Sequence, residues 1–279
     1  MPVCRKISRN RGLTVVGYNT INTGAAKRHA TLTPSFLPVN GAATYKMKDL
    51  TVTGLAYDIV DPDTLQTLNS ASSSSTAMYF YLDKAGADAL CKQMGYPEGS
   101  FDVYIGWWDQ ARGGLGVGSA NEDVIANGTG FYGNIRSGND VAVQASGEAP
   151  TKSTSYTTDG KRHPLFGCYI PKTLKLKQLT ASGLKYDIVD PDVIQFLNPV
   201  TSSSTTMYFY LDKASADALC KQMGYPEGSF DAYIGWWDQA RGGLGVGDAS
   251  EDEVAVGATF FGNIRSLSEV TINYPSSLD

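Results

Sequence analysis

Histidine is nearly missing: 279 residues include two, His29 and His163. That scarcity excludes a His-rich metal centre and argues against an ordinary Ser-His-Asp triad. Cysteine is sparse as well. Cys4, Cys91, Cys168 and Cys220 form no CxxC pair, so their spacing writes neither a zinc site nor a disulfide framework. Cys91 and Cys220 fall within expected short helices and read as buried thiols. No apolar run approaches the roughly 18–20 residues of a membrane helix. The basic start lacks the apolar stretch of about 7–15 residues of a secretory signal. The expectation is therefore no membrane partner and synthesis in the cytoplasm without a signal peptide. No P-loop, no GxGxxG opening a helix, no HExxH and no kinase signature occurs, so neither a cofactor nor a bound nucleotide is expected.

What is plentiful is glycine (30), tyrosine (16) and phenylalanine (10), in a chain 42% hydrophobic and 18% charged. This mixture argues for many turns and aromatic-rich strands, and against collagen, coiled coil or general disorder. The length suits two ordinary domains or one large one.

The internal repeat organises everything else. Lys48–Ser137 aligns without a gap on Lys177–Ser266, at a constant offset of 129 residues. About 69 of the 90 aligned positions are identical. Between Met78 and Gly118 the copies differ only at Gly86/Ser215 and Val103/Ala232. A unit of about 95 residues is large enough for its own core, so this is not a solenoid of short stacked units.

Within one unit, Leu50–Val60 alternates as a strand, and Asp61-Pro62-Asp63 ends it as a turn. Met78–Leu82 reads as a second strand. Asp83 is a suitable N-cap for a helix over Lys84–Met94, with Gly95 at its C-terminus. Phe101–Trp108 is an aromatic third strand, Gly113–Gly118 a glycine-rich loop, and Phe131–Arg136 and Val141–Gln144 two further strands. The expected class is α+β, mainly β: a tandem duplication of a β-rich domain with one short helix, preceded by an extended basic arm. The divisions are residues 1–46 (arm), 47–144 (first repeat domain), 145–175 (connector) and 176–279 (second repeat domain).

No acidic residue precedes Asp49, whereas Arg5, Lys6, Arg9, Arg11, Lys27, Arg28, Lys46 and Lys48 do. The stretch before Asp49 thus carries about +8 and the remainder about −13, within a net charge of -5. With little to bury, it is expected to order against another surface, with Leu13–Val16 as an added strand and Arg5, Lys6, Arg9 and Arg11 as contacts. Its deletion, residues 1–44, is expected to leave both domains folded. Nucleic acid is a minor alternative partner, since the acidic body repels a polyanion. The connector repeats Lys27-Arg28-His29 as Lys161-Arg162-His163. A repeated lead-in segment explains this better than a metal pair.

The most informative segment is Ile105–Gly114, which recurs unchanged as Ile234–Gly243. In a strand, Trp107 and Trp108 point to opposite faces, so one fills the core while the other faces solvent or a partner. Trp107, Trp108, Asp109 and Arg112, with Trp236, Trp237, Asp238 and Arg241, form the candidate interaction surface; the competing reading makes both indoles structural and pairs Arg112 with Asp109. Asp58, Asp61 and Asp63 offer carboxylates to calcium, but they are also ordinary turn chemistry, and no metal site is assigned. The pairs Glu98/Asp102 and Glu122/Asp123 read as solvent-facing charges before catalytic acids.

A closely repeated chain without a reactive constellation is built for surfaces, and no enzyme activity is expected. The organisation is similar to that of virion subunits and other self-assembling shell and tube proteins, which join an extended arm to compact β-rich modules. The leading expectation is a structural self-assembling protein: a phage capsid, decoration or tail component located in a virion or another extracellular assembly. Its partners would be other copies or other virion proteins. The alternative is a bivalent carbohydrate-binding protein using the two WWDQAR segments on a glycan, and the third a carboxylate-based hydrolase.

Overall fold

The computed structural model describes residues 3–8, 13–34, 44–168 and 170–277, with side chains described from Thr23 onward. The first half runs through β1 (Val3–Ser8), β2 (Leu13–Asn22), β3 (Thr31–Leu32), β4 (Thr44–Lys46), β5 (Thr51–Thr53) and β6 (Thr64–Leu68). It continues with β7 (Ser75–Leu82), α1 (Lys84–Met94), β8 (Gly106–Asp109), β9 (Val124–Ala126), β10 (Phe131–Asn134) and β11 (Ala142–Glu148). The second half supplies β12 (Thr154–Thr157), β13 (Leu165–Gly167), β14 (Leu174–Lys175), β15 (Thr180–Ser182), β16 (Val193–Leu197) and β17 (Ser204–Leu211). It ends with α2 (Lys213–Met223), β18 (Gly235–Asp238), β19 (Glu253–Val254), β20 (Thr259–Asn263) and β21 (Thr271–Tyr274). The class is α+β, mainly β, and no described helix is long and apolar enough to cross a membrane.

Each unit buries a core between sheets. In the first, a four-stranded sheet β1-β2-β11-β5 accompanies a five-stranded sheet β3-β10-β6-β7-β8 and the pair β4-β9. The second has β12-β21-β15, β13-β20-β16-β17-β18 and β14-β19. Leu32, Leu65, Trp107, Phe131 and Val143 meet in one core, and Phe166, Ile194, Trp236, Phe260 and Ile272 in the other. The helix forms where its signals stand. Asp83 accepts from the Gly86 N–H at 2.7 Å, and Gly95 closes the last turn at φ 73°. Its buried stripe is Ala87, Leu90 and Cys91; Cys220 is likewise buried and free in α2.

Two stretches differ from the expected strands. Leu50–Val60 is strand only over Thr51–Thr53, because Gly54 turns the chain at φ 89°, where an added Cβ would lie 2.2 Å from the Asp140 carbonyl. The partner of β7 is instead β6, whose Thr-Leu-Gln-Thr-Leu has too little apolar character to stand out. Similarly, Phe101–Trp108 is strand only from Gly106, after a short 3₁₀ turn over Asp102–Tyr104.

The basic segment turns inward. β2 pairs with β11 of the same chain from Val16 to Asn22, β3 with β10 and β4 with β9. The added strand expected near Leu13–Val16 thus belongs to a sheet of its own molecule, and deletion of residues 1–44 would strip β1, β2 and β3 from two sheets. Arg9 and Arg11 lie outside the described residues; Arg5 and Lys6 lie on β1, the outer strand of the first sheet, with only their backbone described. Residues 154–175 play the corresponding part for the second unit, through β12, β13 and β14.

The units meet through reciprocal main-chain bonds. The His29 N–H donates to the Pro199 carbonyl at 2.6 Å, and the His163 N–H to the Ser70 carbonyl at 2.5 Å. The Thr33 N–H donates to Gly257 (3.0 Å), and the Gly167 N–H to Gly128 (2.9 Å). Exchanging the units exchanges these bonds, which is the signature of an approximate twofold contact.

Two outcomes follow. Gly54→Ala and Gly183→Ala each lower stability by about 2–3 kcal/mol in chemical denaturation, through positive φ and a blocked carbonyl. Deleting residues 1–44 abolishes amide protection in β10 and β11 by hydrogen exchange.

Candidate interaction clefts

The repeated Trp-Trp-Asp-Gln-Ala-Arg segment enters each unit as the edge strand of the five-stranded sheet. Alternation sends the indoles to opposite faces, and both faces are covered. Trp107 is 1% exposed, lies edge-on to Tyr81 and donates Nε1–H to the Leu50 carbonyl. Trp108 packs with Phe80, Leu82 and Leu90 under α1, and donates to the Tyr104 carbonyl at 2.7 Å. Trp236 is buried in the same way, bonded to the Leu179 carbonyl at 2.9 Å, and Trp237 is half-buried, bonded to Tyr233 at 2.7 Å. The helix covers the face that the strand pattern left open, so Trp107, Trp108 and Trp236 offer no free ring to a ligand.

Asp109 and Asp238 are buried at 2% exposure. Asp109 accepts from the N–H groups of Met78 and Ala111, each at 2.9 Å, and from Arg112 Nε at 2.9 Å. Arg112 reaches on to Asp123. The second unit repeats this through Met207, Ala240, Arg241 and Asp252. Burial, with Asp123 beside it, pushes the Tyr79 hydroxyl well above its ordinary range, and Tyr208 responds likewise beside Asp252. The glycine-rich loop is stitched to this network: the Gly114 N–H donates to the Asp109 carbonyl, and a Cβ on Gly118 would lie 2.4 Å from that same oxygen. The segment is therefore a structural clip.

The clip forms one wall of an open cleft of about 500 Å³. Gln110, Gly114, Tyr57, Ile59 and Met94 line it, with the buried Phe80 at its base. The rings of Tyr57 and Phe80 lie 5.2 Å apart. The second unit has a corresponding cleft of about 300 Å³, where Tyr186 and Phe209 lie 5.0 Å apart. Large apolar side chains stand exposed beside both: Ile59 at 50%, Val60 at 81% and Met94 at 51%, matched by Ile188 at 53%, Val189 at 83% and Met223 at 48%. The sequence concealed this site because Ile59 and Val60 read as part of a half-buried strand, whereas they ride on a loop.

The acidic clusters are engaged by the protein itself. Asp63 is buried and accepts from Arg136 and Ser137 N–H groups at 2.7 and 2.9 Å. Asp58 caps the N–H groups of Val60 and Asp61, and Asp61 pairs with Arg136. Asp190 and Arg265 form the matching pair. Among the described residues no three His, Cys, Asp or Glu side chains gather as a metal site. Asp102 pairs with Lys84 at 3.0 Å, and hydrogen bonds from Lys46 and Lys48 hold the Glu122 carboxyl down to about 2. Burial pushes the Cys168 thiol up to about 12. The two histidines lie at the contact between units.

Comparison of the chain with protein-family models, with curated proteins and with solved structures finds no match.

Asp109→Ala leaves the Met78 and Ala111 N–H groups without their acceptor and removes one of the two carboxylates that hold Arg112. Chemical denaturation should show a loss of about 3 kcal/mol, with Asp238→Ala equivalent.

Proposed function

We propose that the protein is a structural self-assembling subunit of the kind that builds a virion shell, decoration or tail. The observation that carries this reading is the duplicated cleft: one chain holds two corresponding grooves of mixed lining, and the exposed Ile59, Val60 and Met94 of one unit recur as Ile188, Val189 and Met223 in the other. Contiguous exposed apolar surface is costly in water and marks interaction sites. Two copies in one covalent body let each chain engage more than one neighbour, and tethering raises the effective concentration of the second contact. The outer strand β1 adds a sheet edge, the kind of surface to which another chain can add a strand. The contacts proposed are with other copies or other virion proteins, and the reading involves neither catalysis nor a nucleic-acid partner.

A second reading, bivalent glycan binding, is favoured by the aromatic floor and amide of each cleft, Tyr57, Phe80 and Gln110. It moves the sugar-stacking role from the buried indoles to the tyrosines.

Sedimentation over a wide concentration range, with electron microscopy of the same material, tests the first reading. Rings, sheets, tubes or a concentration-dependent mass are expected, and Met94→Asp with Met223→Asp should abolish them while circular dichroism stays unchanged. A monomer at every concentration, or assembly indifferent to both substitutions, overturns it. Binding on a glycan array that is lost in Tyr57→Ala with Tyr186→Ala would establish the second reading instead.

A further inference from the structure

The first unit carries a strand that the second forms its sheet without. β1 lies outside β2 in the sheet β1-β2-β11-β5. Among the described residues the corresponding sheet, β12-β21-β15, starts at β12, which holds the place of β2. β1 is thus an addition to the duplicated body. The ladder between β2 and β11 ends where Val16 faces Glu148. β1 and β2 stay paired for three residues more, Lys6–Ser8 against Leu13–Val15. At about 3.3 Å per residue, this hairpin runs about 10 Å past the last residue of β11 beside it. Arg9, Asn10, Arg11 and Gly12 join its two strands. With Arg5 and Lys6 they place four basic residues and no acidic one between positions 5 and 12.

Each cleft offers chemistry of the opposite sign. Among the described residues one charged side chain lines the first, Asp58, and one lines the second, Asp187; no lysine, arginine or histidine lines either. The Val60 and Asp61 N–H groups donate to Asp58 Oδ1 at 2.8 and 3.0 Å, and those of Val189 and Asp190 to Asp187 Oδ1 at 2.8 and 3.1 Å. Each carboxylate is thereby held in place, while its Oδ2 has no partner among the described residues. The cations in the same loops are already engaged, Arg136 by Asp61 and Arg265 by Asp190. Beside each carboxylate stand a tilted pair of rings, Tyr57 with Phe80 or Tyr186 with Phe209, and an amide, Gln110 or Gln239. A carboxylate, a ring face and an amide oxygen beside apolar walls suit an arginine side chain. Its planar guanidinium pairs with the carboxylate and stacks on the ring, and its methylene stem takes cover on the apolar wall.

We propose that the segment Arg9–Arg11, joining the strands of this hairpin, docks into the Asp58 and Asp187 clefts of a second copy of the chain. The inference rests on the assembly reading and names its contact. Charge favours the encounter, because the stretch before Asp49 carries about +8 and the remainder about −13. Hairpin and cleft are different surfaces, so the contact is heterologous. Repeated from chain to chain, it gives a ring where the rotation closes and a filament where it does not. One hairpin and two clefts per chain also leave each copy able to receive more than one neighbour.

Sedimentation of the full chain tests it, with circular dichroism as the control for folding. Arg9→Glu with Arg11→Glu should weaken self-association at least about tenfold, and so should Asp58→Arg with Asp187→Arg. Where a reversed charge disturbs folding, Arg9→Gln with Arg11→Gln and Asp58→Asn with Asp187→Asn read the same loss. Mixing the two charge-reversed chains should restore association, since every hairpin then meets a cleft of opposite sign on the other chain. A contact made within one chain gains nothing from mixing. Association of native strength in either reversed chain, or no recovery on mixing, overturns the docking and leaves the assembly reading standing. A native chain that stays monomeric at every concentration overturns both.

Discussion

Where the two units touch, equivalent positions from each half compete for the same space. Thr33 and Gly167 stand at corresponding places beside β3 and β13, and a Cβ on Gly167 would lie 2.0 Å from the Thr33 hydroxyl. Two threonines do not fit there. One side carries the hydroxyl, which pairs with Thr259 at 2.9 Å inside the contact, and the other carries only backbone. Close approach then allows the reciprocal N–H to carbonyl bonds that join the halves. Buried main-chain groups must be satisfied, so this short distance fixes how the units sit.

The clefts depend on a second constraint, the buried carboxylate at the end of β8 and β18. Asp109 binds backbone N–H groups on both sides of the turn and orients Arg112, which ties down Asp123. A buried ion pair adds little net stability against an apolar replacement, but losing one partner is costly. Its use here is geometric: it holds a six-residue glycine-rich loop firm enough to serve as a wall. The unbroken identity of this segment in both halves accords with such a role, because Trp107, Trp108, Asp109 and Arg112 each have a defined partner.

Exposed apolar side chains beside a fixed groove are expensive to keep in water, and their recurrence at equivalent positions in both units makes them a property of the whole chain. The lysine and arginine residues around them are largely committed to local carboxylates, Lys84 to Asp88 and Asp102 and Arg136 to Asp61. Such exposed pairs contribute little to stability.

Local signals were legible in the sequence wherever a few neighbouring residues carry the cause. The helix with its Asp83 and Gly95 ends needs no distant partner, and the repeat announces itself by identity at an offset of 129 residues. The opposite directions of Trp107 and Trp108 also follow from strand geometry alone. Tertiary structure decided the rest. Whether Trp108 meets water depended on a helix folding over it, and whether Ile59 lay in a strand depended on Gly54 yielding to the Asp140 carbonyl far along the chain. The basic segment had too little apolar matter to declare a core, yet β11 offered it a complementary edge of main-chain donors and acceptors. Backbone hydrogen bonds are nearly blind to side-chain identity, so no residue pattern within the segment could reveal which strand it would join.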